Sequence, residues 1–256
     1  MRLFAIYSVF EGEELLEGSI AQVRPLVDFV FCSVQTVSYS GEVYEGALEK
    51  CHQLKRRGLV DQVATYTPQE NTRGQLNELR KRFGAIQLGF KAGFTHFIQI
   101  DCDEYFVPEQ FAAAKEFVAS GDADVSIIYS QMYFKRPDWE LDDIDDAFFP
   151  FICAYKPDLA CVGSNFPYKC DPTRTVNANK ISIVPREMLL QHHYSWVRND
   201  IGRKFRNHSC YGTFLGTGIL EDYNAARVGS YVRLLERHIQ QGKNQFDIRV
   251  QEGSTD

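Results

Sequence analysis

The chain is 256 residues long, with 44% hydrophobic and 24% charged residues, values that suit a globular protein and exclude a disordered or fibrous one. Its net charge of -6 supplies no overall basic field, so composition gives no sign of a nucleic-acid surface. Seven cysteines, an odd number with no C-x-x-C pair, argue against a disulfide framework or zinc ribbon and for a reducing compartment, and a cytoplasmic protein is expected.

The apolar opening Leu3 to Phe10 is followed by Glu11, Glu13 and Glu14 rather than by a small-residue cleavage site, which reads as a first strand and not a signal peptide. Strands are expected near 3–9, 27–34, 62–66 and 95–100, and helices near 13–23, 43–57 and 74–92. That alternation implies a parallel sheet with right-handed crossovers. In the third helix Leu76, Leu79, Phe83, Ile86 and Phe90 recur at three- and four-residue steps, predicting one apolar stripe, with a stop at Gly93. Arg80, Lys81 and Arg82 interrupt the stripe. They read either as a solvated face or as a source of one phosphate-holding cation, Arg82 by preference.

Later strands are expected at 124–129, 148–153 and 180–184, and a terminal helix at 223–241 built on Ala226, Val228, Tyr231, Val232, Leu234, Leu235 and Ile239. From Gln251 onward the chain has nothing to bury and should be mobile. The expected fold class is α/β: a single Rossmann-like domain over 1–245, with a mostly parallel sheet in 1–106, a mixed half in 107–245 and a tail at 246–256. No apolar run approaches the ~20 residues of a membrane span, so stable insertion is not expected.

The most informative stretch is 94–106, where Phe97, Ile98 and Ile100 make a buried strand that runs into Asp101 and Asp103. In open α/β sheets ligands bind beyond the carboxyl ends of strands, and these carboxylates lie at such an end. A solvated acidic turn is the plain alternative. Hard oxygen donors otherwise suit Mg²⁺ or Mn²⁺, which complete their shells with water and substrate phosphates.

Three stretches carry a resemblance to a known family: Tyr7 to Leu16, Lys81 to Phe106, and His192 to Arg198 with Asp200, Ile201 and Lys204. In order and spacing they resemble the glycosyltransferase-A fold, and within it the family-two-like glycosyltransferases that move a sugar from a nucleotide diphosphate donor. The likeness covers roughly residues 1–210. It departs from the family pattern where Ser33 to Ser38 replaces an acidic Asp-x-Ser-x-Asp turn, and no Glu-Asp pair for an inverting base stands at the usual distance.

The resemblance implies a nucleotide-sugar half at 1–106 and an acceptor-side half at 107–245, with a UDP-sugar favoured as donor. It implies Mn²⁺ or Mg²⁺ held by Asp101, Asp103 and His193. Adjacent His192 and His193 point apart on a strand, so at most one faces the ion. Donor contacts are expected from Tyr7, Glu11, Arg82, Asp101, Arg198 and Lys204, the last two in a stretch (186–208) that carries a net +3. Catalytic roles are expected for Asp103 and for Glu140 or Asp142, in an acidic segment where Trp139 offers an acceptor platform; a solvated acidic loop is the other reading. The acceptor is a glycan, a lipid-linked glycan, a protein or a hydroxylated nucleic-acid base. A non-catalytic nucleotide- or sugar-binding module of the same fold is the rival reading.

Overall fold

The computed structural model describes residues 1–142, 147–207, 209, 219–225, 231–233 and 247–252. The first half alternates β1 (Leu3–Val9), α1 (Glu13–Val23), β2 (Phe29–Gln35), α2 (Gly46–Arg56), β3 (Gln62–Tyr66), α3 (Gly74–Lys91) and β4 (His96–Asp101). These four strands lie parallel in the order β3-β2-β1-β4. The two-residue strand β5 (Glu104–Tyr105) and α4 (Pro108–Ser120) follow.

The second half adds β6 (Val125–Phe134), β7 (Trp139–Asp142), β8 (Phe149–Ala154), β9 (Ile181–Ile183), β10 (Leu190–Trp196), α5 (Ile201–Asn207), α6 (Ile219–Ala225), β11 (Tyr231–Arg233) and β12 (Asp247–Glu252). β8 runs antiparallel to both β4 and β6, so it joins the parallel half to the mixed one. The far end of β6 pairs in parallel with β10, whose other edge takes β5 antiparallel. The expected α/β, single Rossmann-like domain with a mostly parallel sheet and a mixed C-terminal half is the fold observed.

Strand alternation divides the core between the two faces of the sheet. Leu3, Ala5, Tyr7 and Val9 of β1 pack with Leu16 and Ile20 of α1, Leu54 of α2 and Phe111 of α4. Phe4 and Ile6 face the other way, with Phe97, Phe31 and α3. This explains where α3 departs from its expected stripe: Asn77, Lys81, Arg82, Ala85, Ile86 and Gly89 are buried, while Leu76 and Phe90 are 43% and 40% exposed. Antiparallel to its strands, α3 packs its C-terminal half on apolar sheet. Its N-terminal half overhangs the carboxyl edge, where Lys81 and Arg82 point inward.

Two expectations for the C-terminal region change. Tyr231–Arg233, expected as helix, is β11, and the expected tail contains β12, antiparallel to β7 through Val250 opposite Leu141. Of the helix expected at 223–241, residues 223–225 lie in α6; residues 226–230 and 234–241 lie outside those described, as do the tail residues 253–256. Strand pairing outweighed a helix-like spacing that included Tyr231 and Val232, both strong strand formers.

Gly12 starts α1 at φ 83°, and a Cβ there would sit 2.6 Å from Cys102 Sγ. Cys102 Sγ in turn donates to the Glu11 carbonyl at 3.0 Å, so the loop after β1 lies directly on the Asp101–Asp103 segment. Gly12→Ala combines left-handed backbone strain with this contact and is expected to cost about 1–2 kcal/mol in a urea titration. Adding Cys102→Ala should recover only the steric part.

Candidate functional site

A cavity of about 300 Å³ opens at the carboxyl ends of β1 and β4. Its walls include Ser8 from β1, Phe10 and Glu11 from the loop after it, Lys81 from α3, Asp101 and Asp103, and His193, Ser195, Arg198 and Lys204 from β10 and the segment after it. Ser8 and Asp101 are direct partners across the β1–β4 ladder. The period of two that turns Ser8 toward α3 turns Tyr7 away: its side chain is fully buried beneath α1, with its hydroxyl 3.1 Å from Ser19 Oγ. Tyr7, expected at the donor site, is a core residue.

Asp101 is held from two sides. Arg82 Nη2 donates to both of its oxygens at 2.9 Å, and Arg174 Nη2 donates to Oδ2 at 2.5 Å. Burial would push its carboxyl up, but Arg174 and Arg82 overcome that and hold it well below the usual range. Arg174 also grips the fully buried Glu104 at 2.6 and 3.0 Å, and Glu104 Oε2 accepts the Asp101 backbone N–H at 2.9 Å. Burial raises the Glu104 carboxyl to about 7, against the pull of Arg174.

Asp103 has its own cations. Arg198 Nη2 donates to its Oδ2, and Lys204 Nζ lies 3.4 Å from the same oxygen while donating to Ser195 Oγ at 2.6 Å. Arg198 and Lys204 outweigh burial and keep Asp103 well below its ordinary range. His193 Nε2 is 3.7 Å from Asp103 Oδ1, and burial lowers its pKa, leaving the ring neutral near pH 7. His192 sits on the opposite face of β10, with Nδ1 2.8 Å from the Tyr133 hydroxyl.

Of the expected site residues, the fold brings Glu11, Asp101, Asp103, His193, Arg198 and Lys204 to one cavity, with Arg82 directly behind Asp101. Glu140 is not among its lining; it lies on β7 opposite Tyr133. Trp139 is packed against the Met132–Phe134–Trp196 cluster with Arg136 over its ring at 5.4 Å, so it offers no open stacking platform. Asp142 contributes backbone pairing to β12, and its side chain, like Asp143, Asp145 and Asp146, falls outside those described. Within the acidic segment Trp139–Asp142 form β7 rather than a loop.

Sequence reasoning missed Arg174, Glu104 and Lys81. Arg174 lies in the irregular Asp171-Pro172-Thr173-Arg174-Thr175 stretch, where no periodicity marks it. Lys81 was legible only as part of a charge run, although it is 6% exposed and its neighbour Arg80 is on the surface.

The residues as arranged do not fit the Mn²⁺ or Mg²⁺ that the resemblance implies. Three of the four carboxylate oxygens of Asp101 and Asp103 already receive guanidinium or ammonium groups. Among the described residues no three His, Cys, Asp or Glu side chains cluster as metal ligands. A divalent ion would have to displace, or sit beside, cations that already neutralise its ligands.

No protein-family model matches the chain, and no curated protein matches it. Solved structures similar to it include S. aureus TarS (16% identity, TM-score 0.45, covering 76% of this chain and 37% of that one) and S. aureus TarS 1-349 in complex with UDP-GlcNAc (16%, 0.45, 76% and 58%). Another is a mycobacterial protein, 10% identical, with a TM-score of 0.41 over all of this chain and 85% of that one. The chain thus spans between 37% and 61% of the TarS chains it matches. At these TM-scores the functional reading rests on the site itself. Among the described residues no helix is long and apolar enough to cross a membrane.

Arg174→Met leaves Glu104 and part of Asp101 buried without a counter-charge, and the expected loss is about 3–5 kcal/mol by denaturant titration. Adding Glu104→Gln should recover much of that. Equal losses in single and double variants would show that Arg174 acts through packing instead.

Lys81 sets a pH dependence. Burial draws its ammonium pKa from 10.5 down to about 8. A lysine whose folded pKa lies below its unfolded one binds fewer protons when folded, so stability should rise as pH increases between about 8 and 10.5. Lys81→Met should flatten that slope in thermal melts taken across the window.

Proposed function

We propose that the chain is a glycosyltransferase that moves a sugar from a nucleotide diphosphate donor, a UDP-sugar by preference, to an acceptor hydroxyl. The observation that carries this reading is the cationic wall of Arg198 and Lys204, anchored on Asp103 and lining a cavity at the carboxyl edge of a parallel half-sheet. Crevices at this edge are the general ligand sites of such sheets. A diphosphate fits the chemistry of that wall, because Arg binds phosphate oxygens through a planar fork and Lys through a compact charge.

On this reading the nucleoside lies along Ser8, Phe10 and Glu11, and the diphosphate meets Arg198 and Lys204. The acceptor oxygen attacks the anomeric carbon as the carbon–phosphate-oxygen bond breaks, the bonding pair leaves on the diphosphate, and the acceptor proton passes to a base. Arg198 and Lys204 stabilise the charge that develops on the leaving group, from positions already fixed before substrate arrives. Phe148, Phe149 and Met132 on the cavity's other wall supply the apolar surface for the acceptor side.

Incubating the protein with a panel of nucleotide sugars, with and without acceptors, tests the proposal through release of nucleoside diphosphate. Arg198→Ala is expected to weaken UDP binding by about 1.5–3 kcal/mol, the value of a charge-assisted hydrogen bond, while uridine binding stays as it is. Donor binding with neither hydrolysis nor transfer across the panel would favour the non-catalytic module. Equal losses for UDP and uridine would remove Arg198 from the diphosphate.

A further inference from the structure

The cations around the cavity differ in whether they are already engaged. Arg82 is paired with Glu78 and Asp101, Arg174 with Asp101 and Glu104, and Arg198 and Lys204 with Asp103. Lys81 is the exception. It lines the same cavity, is 94% buried, and makes no hydrogen bond or ion pair among the described residues. Glu78 and Asp101 attract it from a distance, yet neither approaches it as a partner.

A largely buried lysine that faces a cavity with no direct ion-pair partner is costly, and a methionine of similar length would sit there at less cost. Local rules are broken in this way where a ligand completes the arrangement. The ligand must be anionic. It must also reach Arg198 and Lys204, which line the same cavity. Three of the four Asp101 and Asp103 oxygens that would recruit a divalent ion are already paired, so charge on an incoming diphosphate falls to side chains.

We propose that the site receives the diphosphate of its nucleotide through Lys81 together with Arg198 and Lys204, and without a divalent ion. Asp101 and Asp103 then serve as anchors that orient the cations rather than as metal ligands. Lys81 gives up no existing pair to bind, whereas Arg198 and Lys204 extend their remaining N–H groups from fixed positions. That the anion belongs to a nucleotide rests on the function proposed above; the cation arrangement does not.

Calorimetric titration with pyrophosphate and with UDP, each in EDTA and in Mn²⁺, tests both parts. Both ligands should bind in EDTA, with Mn²⁺ adding little. Lys81→Met should weaken both by about tenfold or more, the loss of one charge-assisted contact, while the free variant melts at the same temperature as the wild type or higher. Lys81→Gln supplies a second variant if Met does not fold, and Lys81→Arg should restore most of the affinity. Binding that requires Mn²⁺, or wild-type affinity in Lys81→Met or Lys81→Gln, would overturn the proposal. Tight UDP binding seen only with Mn²⁺ would do so while leaving the nucleotide reading intact. Lys81-dependent pyrophosphate binding in EDTA with UDP no tighter would support the anion clamp and remove the nucleotide.

Discussion

Neutralising two carboxylates at the end of one strand, Asp103 buried and Asp101 half-buried, is the constraint around which this molecule is arranged. Asp101 and Asp103 cannot sit at the carboxyl edge of β4 as bare charges, because the cost of burying an unpaired carboxylate far exceeds what one domain can absorb. Their partners come from three separate parts of the chain. Arg82 overhangs from α3, Arg174 arrives from the irregular stretch before β9, and Arg198 and Lys204 come from the turn and helix after β10. The charges thereby tie the parallel half to the mixed half, and the cavity lies where the ties meet.

Such a network contributes more to geometry than to stability. A buried ion pair roughly breaks even against a well-packed apolar substitute, whereas removing one partner leaves a stranded charge. What the pairs supply is position: Arg174 holds Asp101 and Glu104 at once, and Glu104 accepts the backbone N–H of Asp101. The direction of each guanidinium is therefore set before any ligand arrives, which is the condition for electrostatic stabilisation without reorganisation.

The fold was legible in the sequence to the extent that it depends on local pattern. Apolar runs and their alternation with helical segments placed β1 to β4 and the crossover helices, and the strand that ends in Asp101 marked the site. That adjacent His192 and His193 face opposite ways was legible from strand geometry, but which of them turns to the cavity, His193, was not. Long-range partners left no such mark. Arg174 carries no periodicity, β12 pairs with β7 across a hundred residues, and Tyr7 and Ser8 exchange roles on a one-residue difference in facing that only the sheet's packing decides.

The departure of α3 from its apolar stripe shows how function and folding compete within one helix. Ala85, Ile86 and Gly89 obey the burial rule, because that half of α3 lies over Phe4, Phe31 and Phe97. Asn77, Lys81 and Arg82 are buried although polar, because their half lies over the edge where β1 and β4 end. Asn77 is satisfied by Tyr66 and by the backbone of Gln69, and Arg82 is ion-paired through Nη2 with Glu78 and Asp101. Lys81 alone is not. A helix that brings carboxylates to Arg82 Nη2 could have brought one to Lys81 or replaced it, and selection for stability alone would favour either change. An ammonium that stays buried and open beside a cationic wall is what an anion-binding site requires of the free protein.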